Sequence, residues 1–139
     1  MKIYETRIEI AAPIDTVWQV LTQTVPSTPE PFGILRIEGQ IALGSKIKLW
    51  SEVSPNRAFA LKVERFEPHE TMVWRGGMPF GLFTGIRTFA LTPNTTETSF
   101  HMREVFTGAL SGMITKSMPD LTPSFIKFAQ ALKSEAETQ

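Results

Sequence analysis

From Lys2 to Ile10 apolar and polar positions alternate, with Tyr4, Thr6, Ile8 and Ile10 on one face and Glu5, Arg7 and Glu9 on the other. A period of two predicts a strand with one buried side. Ala11-Ala12-Pro13 ends it, and Pro13 suits the first turn of a helix. Val17, Trp18 and Leu21 then recur at helical spacing, which predicts a short helix to about Gln23, with Trp18 as its anchor. Residues 24–33 carry Pro26, Pro29, Pro31 and Gly33 and are expected to be irregular. Strand patterning resumes at Leu35, with candidates at 35–42, 45–53, 57–66, 70–76, 85–92 and 97–107 separated by turn residues such as Gly44, Ser54-Pro55-Asn56, Glu67-Pro68-His69 and Pro93-Asn94. Such short connections imply antiparallel hairpins, because a parallel crossover needs a dozen or more residues.

The last thirty or so residues return to helical periodicity. Leu121, Phe125, Phe128, Ala129 and Leu132 form one stripe, with Ser124, Lys127, Gln130 and Lys133 opposite. Pro119 and Pro123 divide the region into a short helix near 110–118 and a longer one from about 123 to 136, with Thr122 read as its cap. A meander of strands cannot bury its apolar face alone, and the terminal helix is its natural cover. The predicted architecture is α+β: a curved antiparallel sheet gripping the C-terminal helix, in one domain, 1–139. No internal repeat or low-complexity segment interrupts it.

Composition narrows the chemistry. Without cysteine, thiolate metal sites, disulfides and a Cys nucleophile are excluded. Fourteen basic and fourteen acidic residues cancel, so the basic excess of a nucleic-acid binder is missing. The start, Met1-Lys2-Ile3-Tyr4-Glu5, lacks the apolar core of a signal peptide, and no apolar run approaches the ~20 residues of a membrane span. A cytoplasmic protein with no membrane span is expected. The two histidines, His69 and His101, share no ligand spacing and are expected to be solvated, so no metal site is predicted. Gly108-Ala109-Leu110-Ser111-Gly112 misplaces the serine of a nucleophile elbow, and no phosphate loop or dinucleotide fingerprint appears. No cofactor is expected.

Several pieces, in order, resemble the START/Bet v 1-like (SRPBCC) superfamily, in its bacterial polyketide cyclase/dehydratase-like branch. They are Ile10-Ala11-Ala12-Pro13 through Val17-Trp18-Gln19-Val20-Leu21, then Glu38-Gly39-Gln40-Ile41 with Gly44, and Val73-Trp74-Arg75-Gly76. Gly81-Leu82-Phe83-Thr84-Gly85, Phe89-Ala90-Leu91, Glu104-Val105-Phe106-Thr107-Gly108 and Ala131 to Glu137 follow. The resemblance implies a helix-grip fold, with about seven strands wrapped around the long C-terminal helix and a cavity for apolar small molecules. Carriers, cyclases, stress proteins and chaperone cofactors share that fold, so it does not fix a function. Relatives often carry a histidine where this chain has Arg87, and a role for that histidine does not transfer.

Face assignment supplies the candidate site. A hairpin turning between Asn94 and Glu97 pairs Leu91 with Phe100, Phe89 with Met102 and Arg87 with Glu104. An inward Arg87–Glu104 pair is expected, because a lone buried charge is costly. Arg87 would orient a carbonyl, carboxylate or phenolate and Glu104 would move a proton; the alternative is a salt bridge that only sets register. Tyr4, the single tyrosine, is taken as remote from this pair. Phe59, Leu61, Met72 and Trp74 extend the apolar face, together with Val63, and suit a flat hydrophobic ligand, or else are ordinary core. The ten residues 76–85 read as a glycine-rich loop whose Phe80 and Phe83 fold over the cavity mouth, with a homodimer contact as the alternative. Trp50 shares parity with Lys46 and Lys48 and is expected to face outward.

The candidate ligand-binding set is therefore Phe59, Leu61, Met72, Trp74, Phe80, Phe83, Arg87, Phe89, Phe100, Met102, Glu104 and Phe125, with Glu104 and Arg87 as catalytic candidates. The first functional reading is binding of a small hydrophobic or aromatic molecule. A cyclase/dehydratase-like enzyme using acid–base chemistry is the second, and a chaperone-cofactor-like interaction protein the third.

Overall fold

A computed structural model describes residues 1–139. Its centre is one seven-stranded antiparallel sheet: β1 (Lys2–Ile10), β2 (Ile34–Glu38), β3 (Lys46–Ser51), β4 (Ser54–Glu67), β5 (Thr71–Met78), β6 (Phe83–Asn94) and β7 (Glu97–Thr107). Their spatial order is β1-β7-β6-β5-β4-β3-β2. The helices are α1 (Ile14–Gln19), α2 (Val25–Ser27), α3 (Ser111–Ser117) and α4 (Thr122–Glu137). The sheet curls around α4, whose Phe125, Phe128, Ala129, Leu132 and Ala136 are buried. This is the helix-grip arrangement expected from the pattern.

The expected register holds: Leu91 faces Phe100, Phe89 faces Met102 and Arg87 faces Glu104. Thr95 in the two-residue turn takes a positive φ of 58°, a backbone hand that suits the twist of a tight hairpin. Alternation in β1 also holds, with Tyr4 and Ile10 buried and Glu5, Arg7 and Glu9 exposed.

The region 24–33 is less irregular than its prolines imply. After α1 the helix widens into a π-helical stretch, Val20–Thr24, in which the Val25 N–H reaches back to the Val20 carbonyl, and α2 follows. Pro26 has no N–H to give and its ring would crowd the carbonyl four residues back; the widened turn accommodates it instead of ending the helix. A single 3-10 turn, Glu30–Phe32, then closes on Gly33. Trp18 anchors this helical arm as expected, its ring edge-on to Phe66 at 5.3 Å.

Two expectations at α4 and β5–β6 are corrected. Thr122 is the first helical residue and not a side-chain cap; its N–H donates to the Asp120 carboxylate at 3.0 Å, which lowers the Asp120 pKa. The supposed loop 76–85 is mostly strand, with Met78 facing Phe83 across a four-residue turn. Cross-strand pairing of Gly76 with Gly85 and Gly77 with Thr84 carries the ladder through residues that pattern alone marks as punctuation.

The far end of α4 is tied to the β1–α1 corner. Glu137 accepts from the Ala11 N–H at 2.7 Å and from Lys133 at 2.6 Å, and Lys133 also donates to the Glu9 carbonyl. The Lys133 bond first, and the Ala11 N–H second, hold the Glu137 carboxylate below its ordinary 4.5. A depressed acid contributes stability above its unfolded pKa and loses it as pH falls through the folded value. Acid titration below pH 4.5 should therefore loosen this corner. Glu137→Gln should remove that part of the pH dependence, read as amide exchange of Ala11 against pH.

Candidate functional site

The polar groups of the inner sheet face lie in one lateral row. Tyr4 faces Glu104 across β1 and β7, Glu104 faces Arg87 across β7 and β6, Arg87 faces Trp74 across β6 and β5, and Trp74 faces Val63 on β4. Alternation along each strand points all five toward α4. Tyr4, Trp74 and Val63 are buried, and the Arg87 and Glu104 side chains keep 23% and 12% of their surface exposed.

Arg87 donates from Nη2 to Glu104 Oε1 at 2.6 Å and from Nε to the same oxygen at 3.2 Å. Its guanidinium carbon lies 4.9 Å from the centre of the Phe125 ring on α4, a cation–π placement that points it inward. Both bonds end on Oε1, so Oε2 stays free on the side of Gly85, 3.4 Å from where a Cβ would stand on that glycine. The Tyr4 ring sits 6.2 Å from both Phe106 and Phe125. Trp74 adds a buried indole N–H with no acceptor. An unsatisfied donor of this kind costs about 1–3 kcal/mol, so it calls for an explanation.

Tyr4 is thus beside the ion pair and not remote from it. Its position depends on β1 joining β7, a pairing between the two ends of the chain that local alternation does not encode. The rest of the predicted set divides. Met72, Trp74, Phe89, Phe100, Met102 and Phe125 come together and are buried, with Trp74 edge-on to Phe89 at 4.8 Å. Phe83 stacks on Phe106 at 5.4 Å and 8°. Leu61 is half-buried beside Gly76. Phe59 lies at the margin under the Arg57 guanidinium, and Phe80, at 95% exposure, points into solvent and covers nothing.

Between sheet and helix these side chains pack on one another in one apolar core. Phe128 reaches across to Phe32, Phe89 and Phe100 at 5.5–6.2 Å. Two depressions lie on the surface elsewhere. One of about 590 Å³ runs along the outer face of α4 beside Pro31, Asp120, Ile126 and Lys127; the other, of about 390 Å³, lies between Gln23, Pro26, Gln40 and Ile41. Neither contains a predicted ligand residue.

Outside the grip, His101 is bonded and not simply solvated: its Nε2 lies 2.9 Å from Glu5 Oε1 on the outer face. That bond is the main reason the Glu5 pKa is lowered. Trp50 faces outward as expected, with the Arg36 guanidinium over its ring. No three histidines or carboxylates cluster as metal ligands do, and no helix is long and apolar enough to cross a membrane.

No protein-family profile and no curated protein matches the sequence. Solved structures do match the fold. Protein MLL2253 from Mesorhizobium loti aligns with a TM-score of 0.76 at 18% identity, over 99% of this chain and 98% of that one. The Zhui aromatase/cyclase from Streptomyces sp. R1128 aligns with a TM-score of 0.71 at 14% identity, over 98% and 94%. The di-domain aromatase/cyclase StfQ of the steffimycin biosynthetic pathway gives 0.74 at 13%, over 98% of this chain and 51% of that one. The resemblance read from the sequence therefore holds at the level of the fold: the chain has the helix-grip architecture found in aromatase/cyclases.

Proposed function

We propose that the α3 end of the grip binds a small hydrophobic or aromatic molecule bearing an oxygen function. The observation that carries this reading is the unspent hydrogen-bonding capacity of the Tyr4–Glu104–Arg87–Trp74 row. A salt bridge serving only to set strand register does not account for the buried, unpartnered indole N–H of Trp74 on the strand next to Arg87. A ligand hydroxyl would give a proton to Glu104 Oε2, and a carbonyl would accept from Arg87 or Trp74, inside an otherwise apolar wall. Because the interior is packed, entry requires side chains at this end to move.

Native mass spectrometry of gently purified protein, followed by organic extraction, tests the reading. A reproducible bound small molecule is expected from the wild type and should be lost or reduced at least tenfold in Arg87→Met. Equal recovery from both proteins would place the ligand away from the row.

An acid–base enzyme of cyclase type is the second reading, and the placement of Tyr4 favours it. Glu104 as base, with the Tyr4 hydroxyl as proton donor on the neighbouring strand, gives two proton-transfer groups on one substrate. Aromatase/cyclases among the fold's relatives agree with it at the level of architecture. Turnover that survives in Tyr4→Phe with its pH profile unchanged would remove Tyr4 from that role.

A further inference from the structure

We infer that the outer face of β3, β4 and β5, turned away from α4, is a docking surface for an acidic helix of a partner protein. Lys46 faces Lys62 across β3 and β4, and Lys62 faces Arg75 across β4 and β5. Three cations thus stand in one lateral row. Alternation turns them outward: their neighbours Ile47, Val63 and Trp74 are buried, while the cations are exposed. Like charges directly opposite one another destabilise a sheet. The outer face avoids them elsewhere, with Glu5 opposite Arg103 and Glu38 opposite Lys48. Basic and acidic residues are equal in number over the chain, so the row is a local concentration and not the overflow of a general excess. Lys46 and Lys62 enter none of the ion pairs, and Arg75 has only a 3.5 Å contact with the exposed Glu64. An anionic partner laid on this row removes the repulsion.

The surroundings of the row select the partner's chemistry. Glu38 and Glu64 lie among the cations. A uniformly anionic partner, such as a phosphate chain or a layer of lipid headgroups, is repelled there, whereas a protein segment places its acids singly. Trp50, with the Arg36 guanidinium 5.2 Å over its ring, lies on β3 beyond Lys48, and Trp and Arg are the residue types that carry most energy at protein interfaces. Ala60, exposed and opposite Lys48, leaves a low place beside the row where a partner can come close. Neighbouring strands are about 4.8 Å apart, so the row spans about 10 Å. A helix rises about 5.4 Å per turn. Lying across the strands with one carboxylate per turn, it meets all three cations. An extended segment, with about 6.8 Å between residues on one side, falls out of step. This surface is on the opposite side of the sheet from the Tyr4–Trp74 row and does not depend on the binding reading above.

The test adds to the intact protein a helical peptide with glutamate once per turn along one face. A peptide of the same composition with its glutamates spread around the helix, a polyphosphate chain, and vesicles rich in anionic lipid are the comparisons. Expected are amide shifts centred on Lys46, Lys62 and Arg75, and an affinity about tenfold above that of the scattered peptide, falling as salt is added. Lys62→Glu should raise the melting temperature by relieving the repulsion, and should weaken peptide binding about tenfold. A Lys62→Glu protein that melts lower, or that binds the peptide equally well, overturns the docking surface. Tighter binding of polyphosphate or vesicles than of the peptide overturns the choice of a protein partner. None of these outcomes involves Arg87, so the recovery of a small molecule from the interior is decided separately.

Discussion

Replacing Phe128 by alanine should lower the free energy of unfolding by about 3–5 kcal/mol, the range for deleting a buried phenylalanine whose site cannot collapse. Phe128 is 2% exposed and is the ring through which α4 meets Phe32, Phe89 and Phe100 at once. Those partners sit on three separate elements, so no single shift closes the gap. Equilibrium denaturation in urea, followed by far-ultraviolet dichroism, measures the loss. A change below about 1 kcal/mol would show that α4 is not clamped by its aromatic stripe.

Replacing Arg87 by methionine should cost about 2–3 kcal/mol, below the 3–5 of a fully buried pair because both partners keep some exposure. The cost falls mainly on what remains: a Glu104 carboxylate, 12% exposed, among Phe106, Phe125 and Tyr4 with its charge uncompensated. Removing both charges in Arg87→Met with Glu104→Leu should recover much of that loss. The double-mutant cycle separates the coupling from the packing of the arginine stem. If the single and double variants were equally unstable, the pair would contribute shape and not charge.

The fold was legible where a pattern had one solution. Two large apolar pairs, Leu91 with Phe100 and Phe89 with Met102, leave one register for the β6–β7 hairpin, and a slip by one residue would turn one strand's two members outward. That register delivered the Arg87–Glu104 pair directly. Gly77 was illegible as strand because glycine is read as a break, yet its pairing with Thr84 on β6 keeps it in the ladder. Pro26 misled in the same direction, since a helix can widen by one residue to accommodate it. The candidate site was half legible. Its ion pair is local to one hairpin, whereas Tyr4 arrives only through pairing of the first strand with the last. Trp74 was expected on the apolar wall, but its unpartnered N–H depends on what its neighbours leave unfilled, which no periodicity records.

The position of β1 also bears on how the molecule assembles. Strands β2 to β7 form a chain of hairpins, each closing on its predecessor, and such contacts form quickly because little loop entropy is lost. β1 is different: Lys2 waits for Phe106, and Ile10 for Thr98. β1 is thus made well before its partner, and its apolar face, Tyr4 to Ile10, waits for β7 and α4 to emerge. Docking of β1 completes both the sheet and the row that carries Tyr4 to Glu104, so the late, nonlocal step of folding is also the one that finishes the site.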